Sequence, residues 1–218
     1  QCFAAGVAAF QSDVTPLALT AFDGSANGRK GAVGLSGSGF LAIRLGGRPR
    51  TLERQIREFQ SVCGQNEPSQ IEKLSEADAS RLWRHMADFG WDENTTLVLV
   101  VRASLMPSKV PALIKALEAL ERHGTLKPSI VAHPAHGTVL ISWFAGDGDP
   151  SDDEAAAMLR DAKNAVHQLG GSMIIERCPT DVKSSVDVWD NVGESVATMR
   201  RLKDQYDPNR ILNPGRFV

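Results

Sequence analysis

The chain is short of the residues that mark several large classes of protein. Only three cysteines occur in 218 residues, Cys2, Cys63 and Cys178. Their number is odd and no two share a metal-type spacing, which argues against a disulfide framework and against a cysteine-held metal. A reducing compartment follows, with each thiol a small core residue. Charge of one sign is also missing: 24 Lys and Arg face 26 Asp and Glu, a net of −2. A nucleic-acid partner needs a concentrated basic surface and is not expected. No run of about twenty apolar residues can form a transmembrane helix, and no basic-then-apolar leader opens the chain. The expected location is cytoplasmic. There is one tyrosine beside four tryptophans, Trp83, Trp91, Trp143 and Trp189. Without basic neighbours these read as core or interface packing, not as a stacking platform for bases.

What is present is the patterning of an ordinary globular chain, without repeats or low-complexity segments. Residues 17–22 and 40–45 read as two strands joined by the glycine-rich stretch 23–39, a long hairpin. Thr51 is a candidate N-cap, followed by Leu52, Ile56, Phe59 and Val62 at helical spacing. A helix is expected from Ser75 to Asp88, with Glu76 and Asp78 in its anion-favouring first turn. Residues 95–102 form the most apolar run and the best candidate for a central strand. Pro107 or Ser108 opens a helix to His123, stopped by Gly124. Strands follow at 129–132 and 138–144, then a helix capped by Ser151 and a strand at 173–176. Two helical pieces, 179–184 and 192–205, lead to the C-terminus.

From residue 95 to 176 the order is β-α-β-β-α-β, the split βαβ arrangement of ferredoxin-like folds. The expected class is α+β: a largely antiparallel sheet with helices packed on one face. The chain begins at Gln1 inside an amphipathic stretch (Phe3, Val7, Phe10), which reads as a piece of something longer.

The last twelve residues are Asp207-Pro208-Asn209-Arg210-Ile211-Leu212-Asn213-Pro214-Gly215-Arg216-Phe217-Val218. Pro208 stops the preceding helix and pushes Asp207 toward an extended conformation. Asn213-Pro214-Gly215 is a turn former, and Leu212 and Phe217 are apolar residues that a loose end would not need. This close resembles that of the FAD-linked oxidases of the vanillyl-alcohol-oxidase type. Gly170 to Pro179 and Val186-Asp187-Val188-Trp189 resemble one branch of them, the smaller FAD-binding subunit of bacterial glycolate oxidase.

The resemblance implies a cap domain over residues 1–206 and a tail, 207–218, that returns to a flavin-binding domain absent from this chain. It implies FAD as cofactor, with Asn213, Gly215 and Arg216 beside it. It also implies oxidation of glycolate or a related 2-hydroxy acid, with a larger flavin subunit and an iron–sulfur subunit as partners. Alone, the chain is expected to be colourless and inactive.

The residues themselves supply candidates for that chemistry. A 2-hydroxy acid needs a proton acceptor for its hydroxyl and a cation for its carboxylate. In the turn His133-Pro134-Ala135-His136-Gly137, His136 is the candidate base and His133 a candidate substrate contact; hairpin-corner histidines are also common as plain exposed residues. Arg102 and Arg177, each at a strand end, are the candidate carboxylate holders. Further ligands that would make the two histidines a metal site are not visible, and His85, His123 and His167 read as surface residues. Gly34 to Gly39 is glycine-rich, but it joins two strands and opens no helix, so it lacks the strand–glycine–helix order of a phosphate cradle. The alternative reading is a stand-alone ferredoxin-like binding or interaction module without catalysis. The two readings differ over the tail: a module packs residues after Tyr206 on its own core, whereas a cap domain leaves them for a partner.

Overall fold

The structure is a computed structural model that describes residues 1–28, 37–65, 70–89, 97–120, 126–144, 150–190 and 193–214. Trp91, His123, Gly124, Gly215, Arg216, Phe217 and Gly34 to Ser36 lie outside the described residues.

Six strands form one antiparallel sheet: β1 (Ala18–Asp23), β2 (Gly39–Arg44), β3 (Leu97–Ser104), β4 (Pro128–His133), β5 (Thr138–Phe144) and β6 (Ser172–Arg177), in the order β2-β1-β4-β5-β3-β6. The helices are α1 (Cys2–Gln11), the short α2 (Gly24–Gly28), α3 (Pro49–Gly64), α4 (Glu76–Ala87), α5 (Val110–Leu120), α6 (Asp152–Gln168), α7 (Thr180–Lys183) and α8 (Ser195–Tyr206). The block β4-β5-β3-β6 with α5 and α6 is the ferredoxin-like arrangement expected from the order of elements. Strands β1 and β2 extend it beyond β4 as the expected hairpin, and the described part of their connection includes α2.

Local chemistry explains several boundaries. Ser151 caps α6 through a capping box, its hydroxyl accepting from the amide of Glu154 while the Glu154 carboxylate accepts from the amide of Ser151. Ser75 caps α4 by accepting from the amide of Asp78. Helix α3 begins earlier than Thr51: Pro49 takes the first turn, where its missing N–H costs nothing, and Arg48 is the N-cap.

Alternation along the strands divides the interior between the two faces of the sheet. Leu99, Val101, Ala103, Ile130, Val139, Ile141, Trp143, Met173 and Ile175 face α5 and α6 in the principal core. Phe22, Val100, Val131 and Phe144 point the other way and meet Leu82 and Met86 of α4. That reverse face is covered by α4 and α2 around Phe22 and Val131. Toward the β4–β5 turn its residues come out to solvent: Ser104 and Ser172 are exposed, and His133 and Thr138 are half-buried.

Beyond β6, the segment through Trp189 is stitched to the sheet edge and to α6. The Ile175 amide donates to the Val188 carbonyl at 2.9 Å. The Asp190 carboxylate accepts from the Met173 amide at 2.6 Å and lies 2.9 Å from His167 Nε2. Lys163 donates to the Trp189 carbonyl at 3.2 Å. His167 therefore has a structural partner, and Trp189 is half-buried in this seam.

Candidate functional site on the open face of the sheet

Strand register decides which candidate residues share a surface. On the reverse face His133 stands opposite Thr138 of β5, Thr138 opposite Ser104 of β3, and Arg102 lies two residues along β3 on the same side. At strand spacings of about 4.8 Å and rises of about 3.4 Å, this puts the backbones of His133 and Arg102 about 12 Å apart. The Arg102 side chain turns the other way, toward Glu176 of β6. Thr20 of β1 completes the row, its Oγ1 lying 3.2 Å from His133 Nδ1.

The two histidines of the turn occupy different environments. His133 is half-buried, whereas His136 is exposed. Burial, and then the charge of neighbouring His136, push the His133 imidazole below its ordinary value of 6.5. His133 is thus neutral at neutral pH. Its backbone carbonyl accepts from the amides of His136 and Gly137 at 3.0 and 3.1 Å, which closes the turn. The sign of the pH effect follows from linkage. Below about 6.5 the unfolded chain takes up the proton that folded His133 resists, so this residue's stabilising contribution is complete above that pH and is lost as pH falls. In an NMR titration the His133 ring should have its midpoint below 6.5, and a midpoint at or above that value would refute the burial assignment.

Arg102 is not a free cation. Its Nη2 lies 2.5 Å from Glu176 Oε1, with the arginine side chain 46% exposed and the glutamate 14%. Ile174 pairs with Arg102, so Glu176, two residues on, falls on the same face by regular alternation. A β-bulge follows: Val101 faces Ile175, but Val100 faces Arg177. Arg177, exposed, ends the same bulge. Glu176 escapes a sequence reading because only the register of β6 against β3 reveals it.

A groove of about 2170 Å³ lies elsewhere, along the β2 edge, lined among others by Phe40, Leu41, Ile43, Phe59, Leu74 and Trp83, and none of the candidate site residues lines it. Its apolar side chains are interspersed with charged ones, among them Asp23, Glu72, Lys73, Glu118 and Lys127.

One strand–helix junction invites comparison with a phosphate cradle, and its chemistry excludes that role. At β1–α2 the Asp23 carboxylate accepts from Ser25 Oγ at 2.7 Å, from the Ala26 amide at 2.8 Å and from the Ile130 amide at 2.7 Å. These donors are already taken by an anion of the chain itself, which would repel a pyrophosphate. Burial nonetheless pushes the Asp23 carboxyl above its usual range, against the effect of those hydrogen bonds. Among the described residues no group of three His, Cys, Asp or Glu could hold a metal ion. Nor, among them, is any helix long and apolar enough to cross a membrane.

The C-terminal segment forms a separate feature. No residue of α8 is buried. After it, the buried Asp207 carboxylate accepts from the amides of Ile211 and Leu212 at 2.9 and 3.0 Å and pairs with Lys203 at 2.8 Å. Lys203 also donates to the Leu212 carbonyl. The Lys203 ammonium, followed by the two amides, holds the Asp207 carboxyl below the usual range. Arg210 and Asn213 adopt left-handed conformations at φ 52° and 45°. The resulting hook presents Leu202, Tyr206, Ile211 and Leu212 outward at 50, 75, 73 and 59% exposure. Asn213 is exposed at its tip.

With this geometry in place, comparison with protein families matches residues 25–217 to the model for FAD linked oxidases, C-terminal domain. No curated protein matches the chain.

Proposed function

The chain belongs to the family of FAD-linked oxidase C-terminal domains, and on that premise we propose that it is the substrate-side domain of a flavoenzyme oxidising glycolate or a related 2-hydroxy acid. The observation that supports this reading is that Arg102 and His133, the first residue of the corner that also holds His136, face the same side of the sheet, at the end where Ser104 and Ser172 are exposed. A guanidinium for a carboxylate and an imidazole for a hydroxyl proton are the two side-chain functions that such a substrate needs. Bound FAD supplies the hydride acceptor. In this reading Arg102, with Arg177 beside it, orients the carboxylate. His136, reaching solvent, takes the hydroxyl proton, and His133 contacts the substrate.

The start of α2 does not fit the FAD pyrophosphate, because the Asp23 carboxylate already takes its donors. The phosphates therefore fall to a flavin-binding part of the parent protein. Asn213, followed by Gly215 and Arg216, would meet the polar edge of the flavin ring. Electrons would leave through an iron–sulfur subunit beside a larger flavin subunit, since the three cysteines of this chain have no cluster spacing. A module without chemistry would pack its tail on its own core, whereas Ile211 and Leu212 point outward.

The test is anaerobic. Glycolate added to the FAD-loaded parent enzyme should bleach the oxidised flavin band, and His136→Gln should slow the bleaching by about 100-fold, within the range of general-base contributions. A flavin that glycolate and other small 2-hydroxy acids leave oxidised would overturn the substrate assignment.

A further inference from the structure

We propose that Glu176 is a specificity-determining residue that restricts the Arg102 site to small monocarboxylates and turns away dicarboxylates. The inference rests on the reading above, in which Arg102 receives the substrate carboxylate. Its own support is geometric. Arg102 faces Leu140 on β5 and Ile174 on β6, so its cross-strand neighbours give the fold no need for a charge there. Glu176 lies two residues beyond Ile174 on the same face and brings its carboxylate to the guanidinium at 2.5 Å. The bulge that follows sets Arg177 opposite Val100, on that face as well. An ion pair with nearly half of its arginine side chain in water does little for stability, so the pairing calls for another role.

The ion pair brings one carboxylate oxygen to Nη2, and a guanidinium carries five N–H donors in a planar fork. A single substrate carboxylate can therefore share Arg102 with Glu176. A second carboxylate on the same small substrate would approach the largely covered Glu176 charge, and like charges that close are strongly unfavourable in a poorly solvated setting. Glycolate and lactate are then accepted, while tartronate and malate are rejected by charge and not by size alone.

The experiment compares wild type, Glu176→Gln, Glu176→Asp and Arg102→Leu in the FAD-loaded parent enzyme, measuring kcat and KM for glycolate, tartronate and malate. Glu176→Gln should raise kcat/KM for the dicarboxylates at least tenfold, mainly through KM, and leave kcat for glycolate within twofold. Glu176→Asp keeps the charge and should keep the discrimination, which separates charge from packing. Unchanged discrimination in Glu176→Gln, with Arg102→Leu raising the KM for glycolate, would overturn the role of Glu176 alone. An unchanged KM for glycolate in Arg102→Leu would overturn the carboxylate seat itself.

Discussion

Replacing Gly137 by alanine should destabilise the fold by about 3–5 kcal/mol, among the larger effects a single methyl group can have. Gly137 sits at φ +67°, a conformation that favours glycine. A Cβ placed there would lie 1.8 Å from the Leu105 carbonyl oxygen, 3.0 Å from the Leu105 carbonyl carbon and 3.2 Å from the Pro107 nitrogen. All three are backbone atoms, so no side chain can rotate out of the way. The same glycine accepts from the Leu105 amide at 2.9 Å, and the displacement would break this tie between the β4–β5 turn and the end of β3. Leu105 is buried against the principal core, so the strain spreads into packed side chains. Since His133 and His136 flank the turn, the variant should also lose the histidine geometry before it unfolds. Urea denaturation gives the answer directly. A loss below about 1 kcal/mol would mean that the turn relaxes freely and that the close approach is not a constraint.

Much of this architecture can be traced to local chemistry written in the chain. Ser151 with Glu154, and Ser75 with Asp78, announce their helix starts, because a cap acts over three residues and needs no tertiary partner. The His133–His136 corner is legible for the same reason: a proline, a glycine and two flanking apolar runs define a tight turn. What escapes the sequence depends on register. Glu176 alternates as an ordinary strand residue, and only the pairing of Ile174 with Arg102 brings it beside that arginine. Asp23 reads as one member of a turn cluster, yet its carboxylate gathers donors from Ser25, Ala26 and the distant Ile130. Helix α4 carries an amphipathic pattern that does not say which face of the sheet it covers, and here its Leu82 and Met86 meet the reverse face.

The tail shows the same division. Pro208 marks a helix stop in any sequence. That Asp207 folds back to hold the amides of Ile211 and Leu212 could not be read from it, because that bond depends on the left-handed turn at Arg210.

That hook leads to the prediction of largest effect on the whole enzyme. The double variant Ile211→Asp with Leu212→Asp should strip FAD from the parent protein on gel filtration, weakening the association between this domain and the flavin-binding part at least 100-fold. Burying an isoleucine or leucine is worth about 1.5–3 kcal/mol each, and two such losses, with charges added in their place, exceed the 2.7 kcal/mol or so that a factor of 100 represents. The domain itself should be untouched, since both side chains are already in water and bury nothing within it. The thermal transition of the isolated chain therefore serves as the internal control. Asp207→Asn gives a second route to the same point: it removes the charge that Lys203 pairs with and loosens the hook without altering its apolar surface. If docking depends on a preformed hook, this variant should also release FAD more readily, though less than the double variant. Full FAD retention in the double variant, with an unchanged domain, would show that the exposed apolar residues of the hook meet solvent in the parent as they do here. The flavin-binding part would then have to dock elsewhere, and the groove along β2 would become the surface to mutate next.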